Sequence, residues 1–150
     1  MEGWEQMKIE LKKLRENAVI PTRGSNQAAG YDLYAAIDEA VTIKPHTTEK
    51  IVTGLAIAVP DGYFGAIFAR SGLARKQGLR PANCVGVADS DYRGEYIVAL
   101  HNDTDIQQVV SPGDRIAQLV VMPYLAVEFE EKEELSETDR GTGGFGSTGK

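Results

Sequence analysis

The sequence predicts an all-β domain, a sandwich or barrel built from many short strands with one short helix. Three observations lead there. Turn-forming clusters recur along the chain, as IPTRG, IKPHT, VPDGY, SDYRGE, NDTD and SPGD. The apolar stretches between them are short, and the first of them alternates apolar with polar residues, the period of a half-buried strand. No long helical segments alternate with the strands, which excludes the βαβ architectures of the dinucleotide-binding folds.

Taken in order, Lys8–Leu14 is the first expected strand. Others follow at Ala40–Ile43, Ile51–Val59, Tyr63–Ala69, Tyr96–Leu100, Gln107–Val110 and Ile116–Met122. Only SGLARKQ, Ser71–Gln77, reads as a helix, one or two turns long, with Ser71 placed to cap its start. From Glu128 the composition shifts through the acidic run EFEEKEEL into a Gly-rich end, which reads as the boundary between a core and a mobile arm. Ordering such an arm costs on the order of 1–2 kcal/mol per residue, and more for glycine. It is therefore expected to close only when a ligand supplies compensating contacts.

Composition sets outer limits. The chain has 150 residues, 42% of them hydrophobic, enough for one domain with a real core. Its formal charge of −6 argues against a nucleic-acid polymer as partner, because a phosphate backbone needs a basic surface. A small anion clamped by a few local arginines remains open. The single cysteine, Cys84, cannot form an intrachain disulfide, and no apolar run reaches the length of a membrane span. The opening MEGWEQMKIELKKL is too charged for a secretory signal, so a soluble, intracellular (cytoplasmic) protein is expected. Met7 offers a second start, which would make residues 1–6 an extension.

Several stretches carry chemistry. The end of the chain, GGFGSTGK, imitates the G-x-x-x-x-G-K of a phosphate-binding P-loop, but no hydroxyl residue or helix follows Lys150. Two readings stand at this point. One is a Gly/Ser tail. In the other, backbone N–H groups, the Ser147 and Thr148 hydroxyls, Arg140 and the Phe145 ring grip an anion that carries a base. GVADSDYRGE, Gly86–Glu95, begins like a calcium loop, yet Arg93 and Leu100 stand where oxygen ligands are required, so calcium is rejected. It reads as a polar β-hairpin with two carboxylates, Tyr92 and Arg93 at its tip. FARSGLARKQG is either a plain helix start or a place where Arg70, the Ser71 hydroxyl and helix N–H groups surround one anion. Asp32 in AAGYDLYAA is a lone acid among apolar neighbours, costly to bury unless a cation is near. Gln118 stands similarly alone in PGDRIAQLV, and His46 and His101 lack metal-ligand spacing.

Read together, AGYDL, RSGLA, GVADSDYRGE, PGDRIAQLV and RGTGGFGSTG closely resemble, in order and spacing, the five motifs of the trimeric deoxyuridine triphosphatases, the dUTPases. The resemblance runs from Ala29 to Gly149. It implies a jelly-roll-like β-barrel that assembles as a homotrimer, with active sites at the subunit interfaces and each site drawing on all three chains. It also implies a barrel domain over residues 1–136 and a C-terminal lid over residues 137–150 that closes on a neighbouring subunit's site. The implied reaction is Mg²⁺-dependent hydrolysis of dUTP to dUMP and pyrophosphate. That reaction would limit uracil in DNA and supply dUMP for thymidylate synthesis.

The same resemblance assigns roles. Asp89 matches the acid that deprotonates the attacking water. Tyr92 matches the ring stacked on deoxyribose, where a 2′-hydroxyl would clash. Asn83, Gly86 and Val87 fall where the base is read, and Phe145 matches a ring laid over uracil. Arg70, Ser71, Gly72 and Gln118 match phosphate-contacting residues, as do Arg140, Gly144, Gly146, Ser147 and Thr148 of the arm. Asp32 matches an acid near the metal, acting through its water shell. One departure is Ala88, where Ile or Leu is usual, which predicts looser packing beneath the hairpin. Two other readings compete: a deoxycytidine triphosphate deaminase on a related fold, and a non-catalytic nucleotide-sensing regulator. The deaminases carry a catalytic Glu on the strand after the hairpin, and Ala99 stands at what looks like that position.

Overall fold

The computed structural model describes residues 6–146. Strands dominate it, in a jelly-roll-like arrangement with one short helix. β1 (Glu10–Lys13) pairs with β6 (Leu55–Ala58). A five-stranded sheet runs in the order β2 (Thr22–Arg23), β3 (Tyr31–Tyr34), β12 (Arg115–Pro123), β7 (Tyr63–Phe68) and β9 (Gly86–Ala88). Across the core, β10 (Ile97–Asn102) lies between β5 (Thr48–Val52) and β8 (Leu79–Pro81), and β4 (Val41–Ile43) pairs with β11 (Gln108–Val110). Every pairing is antiparallel. Among the described residues no helix is long and apolar enough to cross a membrane.

The two-residue period of strands fills the core. Along β10, Val98, Leu100 and Asn102 turn inward while Ile97 faces out. They meet Leu33, Ile43, Ile51, Leu55 and Ile116, all essentially inaccessible to solvent, and each such side chain contributes about 1.5–3 kcal/mol on burial. Asn102 is tolerated there because its amide is satisfied throughout: Nδ2 donates to the Ile43 and Ile106 carbonyls at 3.0 and 2.8 Å, and Oδ1 accepts from Thr104.

The expected strands at Ala40–Ile43, Tyr63–Ala69, Tyr96–Leu100, Gln107–Val110 and Ile116–Met122 form with small shifts of their ends. Ile51–Val59 does not run as one strand. It breaks at Thr53–Gly54, where Gly54 adopts φ 69° and the chain leaves β10's sheet to pair with β1. A Cβ on Gly54 would stand 2.9 Å from that of Ala18, so the corner requires glycine. The stretch Gly86–Glu95 is likewise not a two-stranded hairpin. β9 joins the edge of β7, the chain turns with Tyr92 N–H donating to the Asp89 carbonyl at 3.1 Å, and it then crosses to β10 in the other sheet. The tight turn is the preceding one, residues 82–85, between β8 and β9.

Helix α1 (Ser71–Gln77) forms as expected, but Ser71 is its first helical residue, not its cap. Arg70 holds the capping position with extended backbone and makes no side-chain capping bond. Nor is the space beneath Ala88 empty. Ala88 is buried, and its Cβ, the Tyr96 hydroxyl and Leu119 Cδ1 converge on the bare face of Gly65.

Candidate active site

Strand register gathers three of the expected residues at one end of the five-stranded sheet. Gln118 on β12 lies opposite Asp32 on β3 and Phe68 on β7, two residues before Arg70. The Arg70 guanidinium donates through Nε to Asp32 Oδ1 at 2.9 Å, and Arg115 Nη1 stands 3.6 Å from Oδ2. Asp32 is only 17% exposed, so these cations offset the desolvation of its carboxylate. Arg115 reaches it because a bulge between Arg115 and Ala117 breaks the alternation and re-aims the side chain. In sequence Arg115 is inconspicuous within PGDRIAQLV, since a regular strand would point it away from Gln118.

The Gln118 amide is fixed from both ends. Its Nε2 donates to the Ala69 carbonyl at 2.9 Å, and its Oε1 occupies space that a Cβ on Gly30 would fill. Directly after Arg70, Ser71 and Gly72 are exposed at the helix start, with open space over Gly72. Two guanidiniums, a fixed amide and a free hydroxyl make this end of the sheet a place for an anion.

A second group lies along the turn between β8 and β9, along β9 and in the turn that follows it. Asn83, Cys84 and Val85 are exposed in the turn, where Val85 N–H donates to the Asn83 carbonyl at 2.7 Å. Gly86 packs so closely on β7 that a Cβ would come within 3.1 Å of Ile67 Cβ. Val87 is 64% exposed, and Asp89 is exposed, its carboxylate accepting no hydrogen bond from the described residues. Tyr92 is held flat: its ring lies across Gly94, where no Cβ fits, and its hydroxyl donates to the Glu95 carbonyl at 2.8 Å. Glu95 in turn accepts from Arg15 at 2.8 and 3.1 Å and from Gly54 N–H at 2.9 Å. The Arg15 guanidinium holds the Glu95 carboxyl below its ordinary range. This brace between Tyr92 and the Gly54 corner was invisible to sequence reasoning, because Arg15, Gly54 and Glu95 are far apart in the chain.

The two groups do not meet. Ala88 pairs with Gly65 and Gly86 with Ile67, so Asp89 lies level with Phe64, six residues from Arg70 along β7. At about 3.3 Å per residue the separation is about 20 Å. The turn at 82–85 is at Arg70's end of the sheet and Asp89 at the other. A cleft of about 1020 Å³ opens beside Asp89, but its charged lining is Lys8 and Arg93 against Glu10, Asp61, Asp89 and Asp91. Alone it repels anions.

The arm beyond β12 stays off both groups. Leu125, Val127 and Phe129 are 88, 66 and 93% exposed in alternate positions, and Phe145 is fully exposed with φ 52°. Arg140 turns back on its own chain, donating through Nε to the Gly143 carbonyl at 2.7 Å, with Gly144 beside it. Gly146 follows with φ 79°, while Ser147 and Thr148 lie outside the described residues. Among the described residues no three His, Cys, Asp or Glu side chains gather as a cation site. Asp32 is already paired with Arg70 and Arg115, so it could serve a divalent cation only indirectly, through the water of an ion that a ligand carries in.

The dUTPase family model matches residues 16–149. A deoxyuridine 5'-triphosphate nucleotidohydrolase from Hydrogenobaculum sp. (strain Y04AAS1) is 47% identical over 143 residues, 95% of this chain and 99% of that protein. The Staphylococcus bacteriophage 80alpha dUTPase, solved with dUPNHPP, superposes with a TM-score of 0.87 at 30% identity, covering 96% of this chain and 99% of that one. A mutant dUTPase from phage phi11 of S. aureus superposes with a TM-score of 0.77 at 27% identity over 85% of this chain and 98% of that one, and its structure was described for a structural Mg(II) ion.

Proposed function

The chain belongs to the dUTPase family, and from that premise we propose that it hydrolyses dUTP to dUMP and pyrophosphate with Asp89 as general base, in a site that a homotrimer completes. The observation that carries this reading is the polarity of β9. A deoxyuridine lying along it has its base at Asn83, Gly86 and Val87, its sugar on the Tyr92 ring and its phosphates leading on past Asp89. They then point away from the subunit's own Arg70, Ser71, Gly72 and Gln118, into a cleft whose lining is net acidic. A triphosphate is stable there only if another copy brings its anion-binding end to that cleft. The alternating exposed row Leu125, Val127 and Phe129, beyond the end of β12, is an apolar segment of the kind that seats on a neighbour.

Within the completed site each residue has a physical task. The Asp89 carboxylate is exposed and accepts no hydrogen bond from the described residues, so it can take a proton from water aimed at the α-phosphorus, a contribution of about 10²–10⁴-fold. Tyr92, pinned by Gly94 and Glu95, gives the deoxyribose a rigid floor with no room for a 2′-hydroxyl. Arg70, Ser71, Gly72 and Gln118 hold the phosphates through charge and directed donors. Mg²⁺ on the phosphate oxygens would neutralise charge on the transferred and leaving groups, with Asp32 ordering its waters. Residues 137–150 close as a lid, with Arg140, Gly144, Gly146, Ser147 and Thr148 on the outer phosphates and Phe145 over uracil, where stacking is worth about 1–3 kcal/mol. In the cell the reaction would limit uracil in DNA and supply dUMP. A deaminase reading finds no carboxylate at Ala99, which lies within β10 opposite Lys50.

Pyrophosphate release from dUTP, dCTP, dTTP and UTP, with Mg²⁺ and with EDTA, tests the reading. Release from dUTP alone, abolished by EDTA, is expected. Asp89→Asn should bind dUTP normally and lose about 10²–10⁴-fold in turnover; undiminished turnover would remove Asp89 from the base role.

A further inference from the structure

We propose that Arg80, clamped by Asp103, is a positioning residue that sets the shape of the base-reading turn and thereby the preference for uracil over cytosine. The proposal rests on the reading above that Asn83, Gly86 and Val87 face the base. Arg80 lies on β8 opposite His101 of β10, immediately before that turn. Its Nε and Nη2 donate to the two Asp103 oxygens at 2.7 and 3.2 Å, a fork-to-fork pair that fixes the guanidinium plane. The remaining nitrogen, Nη1, then faces the turn. It donates to the Pro81 carbonyl at 3.2 Å and the Ala82 carbonyl at 3.3 Å, and it lies 3.8 Å from Cys84 Sγ.

Asp103 is itself held in place. His101 Nε2 stands 3.6 Å from it, and the other ring nitrogen of His101 bonds the Thr48 hydroxyl at 2.8 Å. The turn needs such support. Cys84 has φ 65°, a conformation costly for a residue with a side chain, and the turn's own backbone bonds are few: Cys84 N–H to Pro81 and Val85 N–H to Asn83. A guanidinium gripping two successive carbonyls fixes the peptide planes that aim the Asn83 amide and the N–H groups after it. Base discrimination depends on that aim, because a donor displaced from the uracil edge no longer leaves an unpaired group when cytosine binds instead.

Arginine is required for its shape. Lysine keeps the charge beside Asp103 but cannot pair a carboxylate with two donors while bonding two carbonyls from a third nitrogen. Arg80→Lys should therefore fold with a melting temperature close to the parent's and keep its kcat. Its KM for dUTP should rise about 3- to 10-fold, the loss of one well-aimed hydrogen bond, and its kcat/KM ratio for dUTP over dCTP should fall by a similar factor. Arg80→Ala should go further in both, and where it fails to fold, Arg80→Lys decides. Unchanged KM and selectivity in Arg80→Lys, or a fall in kcat alone, overturns the proposal. Asn83→Ala, measured alongside, separates the two layers. An effect there with a silent Arg80→Lys removes only the role of Arg80, whereas a silent Asn83→Ala removes the base-reading assignment and the proposal with it.

Discussion

At the scale of single residues, Tyr96 is the buried group least reconciled with its surroundings. Its ring packs in the core, 6.2 Å from the Tyr92 ring, yet its hydroxyl is buried with no hydrogen-bond partner among the described residues. Burial pushes its ionisation up to about 12. An unpaired buried hydroxyl costs about 1–3 kcal/mol, so Tyr96→Phe should leave stability unchanged or raise it by about 1 kcal/mol. Urea denaturation of the pair checks this, and a clear loss of stability would mean that the hydroxyl has a partner in the assembled protein. Sequence reasoning flagged Asp32 because a lone acid among apolar residues must find a cation, and Arg70 is that cation. It could not flag Tyr96, since nothing in EYIVAL distinguishes a tyrosine whose hydroxyl is satisfied from one whose hydroxyl is stranded. Arg115 escaped for a different reason: a bulge, not the strand period, decides where it points.

At the scale of elements, strands that coincide with an apolar run between turn clusters were legible, even the three-residue β4 and β11, whereas four other short strands were not. β2, β3, β8 and β9 take their conformation from a neighbour's edge, and so short a stretch shows no alternation of its own. Ile51–Val59 misled because its apolar run continues across a corner, and only the backbone of Gly54 reveals the change of sheet. That corner also receives Glu95, so it joins the fold to Tyr92, whose hydroxyl bonds the Glu95 carbonyl. Gly54→Ala should cost about 1–3 kcal/mol, from the strained φ and the contact with Ala18 together. It should also raise KM for dUTP as Glu95 and Tyr92 shift. Thermal melting and steady-state kinetics on the same sample check both effects, and a Gly54→Ala protein with parental melting and KM would show the corner to be compliant. The arm was legible as a change in composition, and its Leu125, Val127 and Phe129 are left exposed by the rest of the chain.

At the scale of the whole molecule, the proposed assembly makes two inactive proteins complementary. Arg70→Ala supplies intact Asp89 and Asp89→Asn supplies intact Arg70, so subunits of both kinds, mixed equally and reassembled, should regain about one working site in four. Activity measured before and after reassembly decides the matter, and no recovery would place both residues in one subunit's site. Oligomer mass by light scattering provides the independent check, with three copies expected. The distance between Asp89 and Arg70 within a subunit has a consequence beyond geometry. When base recognition and phosphate recognition belong to different copies, catalytic competence obeys mass action. Progressive dilution should then lower specific activity as assemblies come apart, while dUTP, by bridging subunits, should hold them together and shift that threshold to lower protein concentrations.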